Sequence, residues 1–126
     1  VKTLKVLLIE DDSEDRLIIK DLLEKSNLQI DLDEAASSSE GLKKLKSDSY
    51  DCAIVDYVIP GVTGLDVFML SREAGVNTPF IFLTGYGDND LAAELIRRGA
   101  FDYLCKSELN DGNLPYKIIK AVTDSK

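Results

Sequence analysis

The side chains that could do chemistry stand at a few places along this 126-residue chain. Glu10, Asp11 and Asp12 form an acidic run behind the apolar stretch Lys5 to Ile9. Asp56 closes an apolar run that begins at Cys52 and precedes Pro60 and Gly61. Thr84 follows Phe80 to Leu83, and Lys106 follows Asp102 to Cys105. Brought together, three or four carboxylates cannot all stay ionised unless a cation compensates. Oxygen ligands without His or Cys suit a hard ion, Mg²⁺ or Mn²⁺. A metal, an ammonium and a hydroxyl around one Asp can each hold one oxygen of a phosphoryl group. Asp is itself a nucleophile in aspartyl-phosphate chemistry. Taken singly, each piece has an ordinary reading. An acidic run opens a solvated helix, Asp and Thr-Gly make turns, and a Lys behind a strand is a surface charge. The phosphoryl reading therefore depends on whether the elements bring these places together.

Lys5 to Ile9 is a short apolar strand. Ser13 can cap a helix carrying Glu14 and Asp15 in its first turn, where anions suit the helix dipole. Ile18, Ile19, Leu22 and Leu23 supply its buried face, and Ser26-Asn27 ends it. Ile30, Leu32 and Glu34 alternate, as in a more exposed strand. Ser37 and Glu40 form a capping box for a helix through Lys46. Cys52 to Asp56 is the third strand, followed by a helix from Leu65 to Ala74 that Gly75 stops. Phe80 to Leu83 is the fourth strand. A helix from about Asn89 to Arg98 turns Leu91, Leu95 and Ile96 inward, with Gly99 as its stop. Asp102 to Cys105 is the fifth strand, and Leu114 to Thr123 the last helix, with Pro115 in its first turn.

Five alternations of strand and helix predict a doubly wound α/β fold, a five-stranded parallel sheet with helices on both faces. In such sheets crossovers are right-handed, and ligands sit at the carboxyl ends of the strands where the strand order reverses. In the flavodoxin-like order 2-1-3-4-5 the first and third strands are neighbours. The acidic run, Asp56, Thr84 and Lys106 then share one end of the sheet. Neither the second strand nor any helix end offers comparable chemistry.

Composition narrows the classes of function. Hydrophobic residues make up 44% and charged residues 30%, an ordinary globular balance for one domain. The net charge of −8 argues against nucleic acid or an anionic membrane as partner. The absence of histidine excludes Ser-His and Cys-His catalysis and histidine metal ligands within the chain. Cys52 and Cys105 lie in apolar runs without metal-ligand spacing and read as buried free thiols of a reducing compartment. No apolar stretch approaches the ~18 residues of a membrane span, and none reads as a signal peptide. Val at position 1 suits a trimmed chain or a piece of a longer one. No linker, repeat or low-complexity segment interrupts it.

The stretches "LLIEDD", "IVDYVIPGVTGLD", "FLTGYG" and "GAFDYLCKSEL" together resemble the response-regulator receiver domains of two-component signalling, over nearly the whole chain. The resemblance implies one receiver domain over 1–126, and Asp56 as acceptor of a phosphoryl group from a partner histidine kinase or histidine phosphotransfer protein. It implies that Thr84 and Lys106 bind that group and that Tyr103 changes rotamer on activation. It implies Mg²⁺ held by Glu10, Asp11, Asp56 and the backbone carbonyl of Val58. Counting back from Leu22-Leu23 selects Glu10 and Asp11 as the acidic pair, and Asp12, one position late, is the weaker candidate. Pro60 and Gly64 match the family's loop.

Two departures stand out: Ile59 in place of the usual Met, and Ser107 in place of the usual Pro after the Lys. The Lys106–Ser107 peptide is expected to be trans, because cis without Pro costs roughly 2.5–4 kcal/mol. Tyr86 is expected to cover the phosphoryl site in part, with Val58 lining its other side, which implies slow self-dephosphorylation. The implied output is a protein contact on the fourth helix, fifth strand and fifth helix, with an unknown downstream protein. The implied setting is cytoplasmic, and the implied state a monomer or a phosphorylation-dependent dimer. No catalysis beyond the chain's own phosphorylation and dephosphorylation is implied.

Three other readings compete. A haloacid-dehalogenase-like phosphohydrolase also uses Asp, Mg²⁺, Thr and Lys, but its nucleophile follows the first strand in a D-x-D pattern, and "EDDSED" does not match. A flavodoxin-like FMN-binding module needs a phosphate cradle where Glu10-Asp11-Asp12 would repel one. A degenerate receiver serving only as a scaffold would lack some of the active residues, and all are present.

Overall fold

The computed structural model describes residues 2–59, 61–85 and 89–125. Strands β1 (Leu4–Ile9), β2 (Ile30–Ala35), β3 (Cys52–Asp56), β4 (Phe80–Thr84) and β5 (Asp102–Cys105) alternate with helices α1 (Ser13–Glu24), α2 (Ser38–Ser47), α3 (Gly64–Glu73), α4 (Asn89–Arg97) and α5 (Asn113–Asp124). The strands form one sheet in the order β2-β1-β3-β4-β5, and every pairing is parallel. The doubly wound fold expected from the alternation is the one observed.

Alternation along each strand sends side chains to two cores. Leu7, Ile9, Ala53, Val55, Phe80 and Phe82 pack on one face with Leu45 of α2, Val67 and Phe68 of α3, and Leu95 of α4. Val6, Leu8, Cys52, Ile54, Ile81 and Leu83 pack on the other face with Ile19 and Leu23 of α1 and Leu114 and Ile118 of α5. β3 and β4 are buried along their whole length. That explains why they read as unbroken apolar runs while the edge strand β2 alternates. The central strands therefore deliver their last residues, Asp56 and Thr84, from fully buried strands.

Several local expectations need correction. Asp12, not Ser13, caps α1: its side chain accepts the Glu14 N–H at 2.9 Å. Ser13 is the first helical residue instead. Ile18 and Ile96 do not face the core; they are 53% and 41% exposed. The inward positions are taken by Ile19 and Leu23 in α1 and by Ala92 and Leu95 in α4. Cys105 is half-buried, whereas Cys52 is fully buried and both are free thiols. Ser37 caps α2 through the Glu40 N–H, but Glu40 reaches back to the Ala36 N–H rather than to Ser37 itself.

Two glycines answer backbone demands. Gly75 ends α3 at φ +84°, where only glycine is unstrained. Gly64 opens α3 against the strand end: a Cβ there would lie 2.7 Å from the Asp56 carbonyl oxygen. No cis peptide occurs among the described residues, and Lys106–Ser107 is trans.

Candidate functional site

The first anchor is Glu10. Its N–H bonds the Ala35 carbonyl at 3.0 Å, extending the β1–β2 ladder by one residue and turning its side chain inside, fully buried. Oε2 accepts the Asp12 N–H at 3.1 Å. Oε1 lies 2.6 Å from Lys106 Nζ, an ion-pair distance, yet the two are not aligned as a hydrogen bond, so Oε1 has no directed donor. Burial pushes the Glu10 carboxyl up to about 7, and the neighbouring Asp56 charge adds to this; Lys106 and the Asp12 N–H pull the other way.

Asp56, 6% exposed, sits beside it because β1 and β3 are neighbours. Its Oδ1 accepts the Val58 N–H at 3.2 Å, and its Oδ2 accepts from Lys106 Nζ at 2.9 Å. Lys106 also donates to Asp15 Oδ2 at 2.9 Å. Burial by itself would lower the lysine, but its hydrogen bonds to Asp56 and Asp15 and the Glu10 carboxylate beside it outweigh that and hold the ammonium above the ordinary lysine range. It is thus a fixed positive charge across the physiological range.

One carboxylate oxygen from each of Glu10, Asp11 and Asp56 lies within 4.8 Å of the others. All the donors are oxygens, three anionic groups converge, and a buried oxygen of Glu10 lacks a directed partner. These residues fit a hard divalent cation.

The remaining predicted residues fall around this centre. Thr84, 3% exposed, ends β4 one residue past Leu83, the register partner of Asp56. It pairs in register with Cys105, the residue before Lys106. Tyr103 lies on β5, 39% exposed, level with Phe82. The Val58 side chain is 72% exposed. Asp12 is committed to capping α1 and is not among the three converging carboxylates. Pro60 and Tyr86 lie outside the described residues.

Two residues escaped the sequence reading, which expected nothing from a helix end. Asp15, in the first turn of α1, reaches Lys106 from 91 residues away in sequence. Arg16 donates through Nη1 to the carbonyls of Glu10 (2.8 Å) and Asp11 (3.1 Å), while its Nε lies 3.4 Å from Glu34 Oε1 on β2. Arg16 thereby straps the loop that carries two of the converging carboxylates, and only the β1–β2 pairing brings Glu34 to it.

Comparison with known proteins agrees with this arrangement. Residues 6–118 match the model of the response regulator receiver domain. The transcriptional regulatory protein QseB of Escherichia coli O157:H7 is 34% identical over 105 residues, covering 82% of this chain and 46% of QseB. The cell cycle transcriptional regulator CtrA of Caulobacter vibrioides is 34% identical over 106 residues, covering 82% of this chain and 44% of CtrA. The chain thus spans about half the length of these curated relatives. A response regulator receiver domain protein from Clostridium thermocellum superposes with a TM-score of 0.86 at 32% identity, over 96% of this chain and 95% of that one. The chain belongs to the response regulator receiver domain family of two-component signalling.

Proposed function

We propose that Asp56 is the phosphoacceptor of this receiver domain, in a Mg²⁺-dependent transfer from a phosphohistidine on a histidine kinase or histidine phosphotransfer protein. The observation that carries the reading is the pairing of Lys106 Nζ with Asp56 Oδ2 at 2.9 Å, beside the oxygens of Glu10 and Asp11. An Asp56 carboxylate oxygen attacks phosphorus. The new O–P bond forms as the N–P bond breaks, and the electron pair of that bond leaves with the imidazole. Acceptor and donor are both anionic, so their approach needs positive charge already in place. Lys106 supplies one such charge. Glu10, Asp11, Asp56 and the Val58 carbonyl would hold Mg²⁺, which when bound neutralises phosphoryl oxygens. The Thr84 hydroxyl can donate to another phosphoryl oxygen, and Tyr103 can turn inward behind it.

On this reading residues 1–126 act as one receiver domain in the cytoplasm, and its output is contact with a downstream protein. It remains a monomer or dimerises when phosphorylated, and it turns over no separate substrate. Family membership favours this over a phosphohydrolase or an FMN-binding module, and the convergence of Asp56, Lys106, Glu10 and Asp11 favours it over an inert scaffold. No helix among the described residues is long and apolar enough to cross a membrane.

Incubation with acetyl phosphate and Mg²⁺, followed by intact-mass analysis, tests the proposal. One phosphate adduct is expected on the wild type, none on Asp56→Asn, and none on either in EDTA. An adduct on Asp56→Asn as abundant as on the wild type, or one unaffected by EDTA, would overturn it.

A further inference from the structure

The Lys106 ammonium has three protons and three carboxylates around it: Glu10 Oε1 at 2.6 Å, Asp56 Oδ2 at 2.9 Å and Asp15 Oδ2 at 2.9 Å. They come from three elements, the end of β1, the end of β3 and the first turn of α1. These contacts are not equivalent. Glu10 and Asp56 belong to the set of converging oxygens, while Asp15 does not. A cation taken up by that set competes with the lysine for Glu10 and Asp56, because each oxygen turned to the metal is lost as an acceptor and the two positive charges repel. Asp15 stands outside this competition. Lys106 is its one ion-pair partner among the described residues.

We infer that Asp15 is a positioning residue, the tether that keeps Lys106 at the mouth of the site once a divalent cation has drawn Glu10 and Asp56 away from it. The inference rests on the metal site proposed above. The half-exposed side chains of both partners agree with a tether rather than a core ion pair: they are 32% and 30% exposed. A solvent-screened pair of this kind adds little to stability. Its effect lies in placement. Without Asp15 the lysine of the cation-loaded protein is a long flexible side chain that must be ordered again, at a cost in conformational entropy, before it can meet a phosphoryl oxygen.

The test follows the Lys106 side-chain ammonium by ¹⁵N NMR, its signal assigned by its absence in Lys106→Arg. Wild type, Asp15→Asn and Asp15→Glu are compared without metal and with saturating Mg²⁺. Backbone amide shifts at Glu10, Asp11 and Asp56 report the binding of the ion separately. Without metal the ammonium signal is expected in all three proteins, since Glu10 and Asp56 suffice to hold it. With Mg²⁺ it is expected to persist in wild type and Asp15→Glu and to be lost from Asp15→Asn. Loss of the signal from wild type on adding Mg²⁺, or its persistence in Asp15→Asn with Mg²⁺ bound, would overturn the tether. Failure of Mg²⁺ to shift the Glu10, Asp11 and Asp56 amides of the wild type would overturn the metal site on which the tether rests.

Discussion

Glu10 shows how a single residue can carry a cost in the folded chain. A carboxyl buried at the end of β1 with one oxygen lacking a directed donor is destabilised as an anion, and its ionisation is pushed up to about 7 from an ordinary 4.5. The folded chain then binds more protons than the unfolded chain between these values, so stability falls as pH rises through the window. The contribution is fully present below about 4.5 and is lost as pH passes about 7. In urea titrations without metal, wild type is expected to lose of order 1–3 kcal/mol relative to Glu10→Gln between these pH values. Saturating Mg²⁺ should restore the wild type and leave Glu10→Gln largely unaffected. Parallel pH profiles for the two metal-free proteins would show that burial does not govern this carboxyl.

At the scale of elements, the junction of β3 with α3 fixes where Asp56 points. Gly64 N–H bonds the Tyr57 carbonyl at 2.9 Å, and the first turn of α3 closes against the strand end. A methyl group at Gly64 would meet the Asp56 carbonyl oxygen at 2.7 Å, and Tyr57 Cα and Phe82 Cε1 at 3.1 Å. Backbone cannot yield as a flexible side chain can. Gly64→Ala is therefore expected to cost about 1–3 kcal/mol in urea unfolding. It should also slow phosphate labelling of Asp56 by acetyl phosphate, because the strand end must move to relieve the overlap. Unchanged stability and labelling rate would mean that the junction is looser than its contacts indicate. At the start of α3, Thr63 and Asp66 form a reciprocal capping box that holds the helix end in place. Any relief must then come from the strand side.

Across the whole molecule, the proposed function requires the site at one end of the sheet to reach a surface that a partner can read. On that proposal β4 and β5 would carry the connection. Thr84 lies beside Cys105 in register, and Tyr103 lies two residues back along β5, half out of the protein. If a phosphoryl group draws Thr84 toward it, the space beside β4 changes and Tyr103 can turn inward. Such a shift is limited to the difference in contact free energy between the two states. Adding beryllofluoride with Mg²⁺ is expected to move amide resonances between Leu91 and Val122. Tyr103→Ala should take phosphate from acetyl phosphate at close to the wild-type rate while showing a much smaller shift over the same residues. Resonances in that region that stay still in the wild type would remove this face as the output surface.

Periodicity and turn chemistry in the sequence determined the order of elements, the bounds of β3 and β5, and the ends of strands where Glu10, Asp56, Thr84 and Lys106 fall. Those are local properties: a run of apolar residues must be buried, and its end must be a turn. Sequence was less able to settle which large side chains of a helix face inward. Ile18 and Ile96 satisfied the same spacing as Ile19 and Leu95, and only the packing of a helix against a particular sheet face chooses between them. The cap at Asp12 rather than Ser13 was a difference of one residue that hydrogen-bond geometry alone decides. The partners of Lys106 and Arg16 lay furthest from sequence reach. Asp15 meets Lys106, and Glu34 meets Arg16, only because the sheet order β2-β1-β3-β4-β5 brings the end of β5 and the edge strand β2 to the start of α1. Contacts between residues distant in the chain are consequences of topology, and no local pattern encodes them.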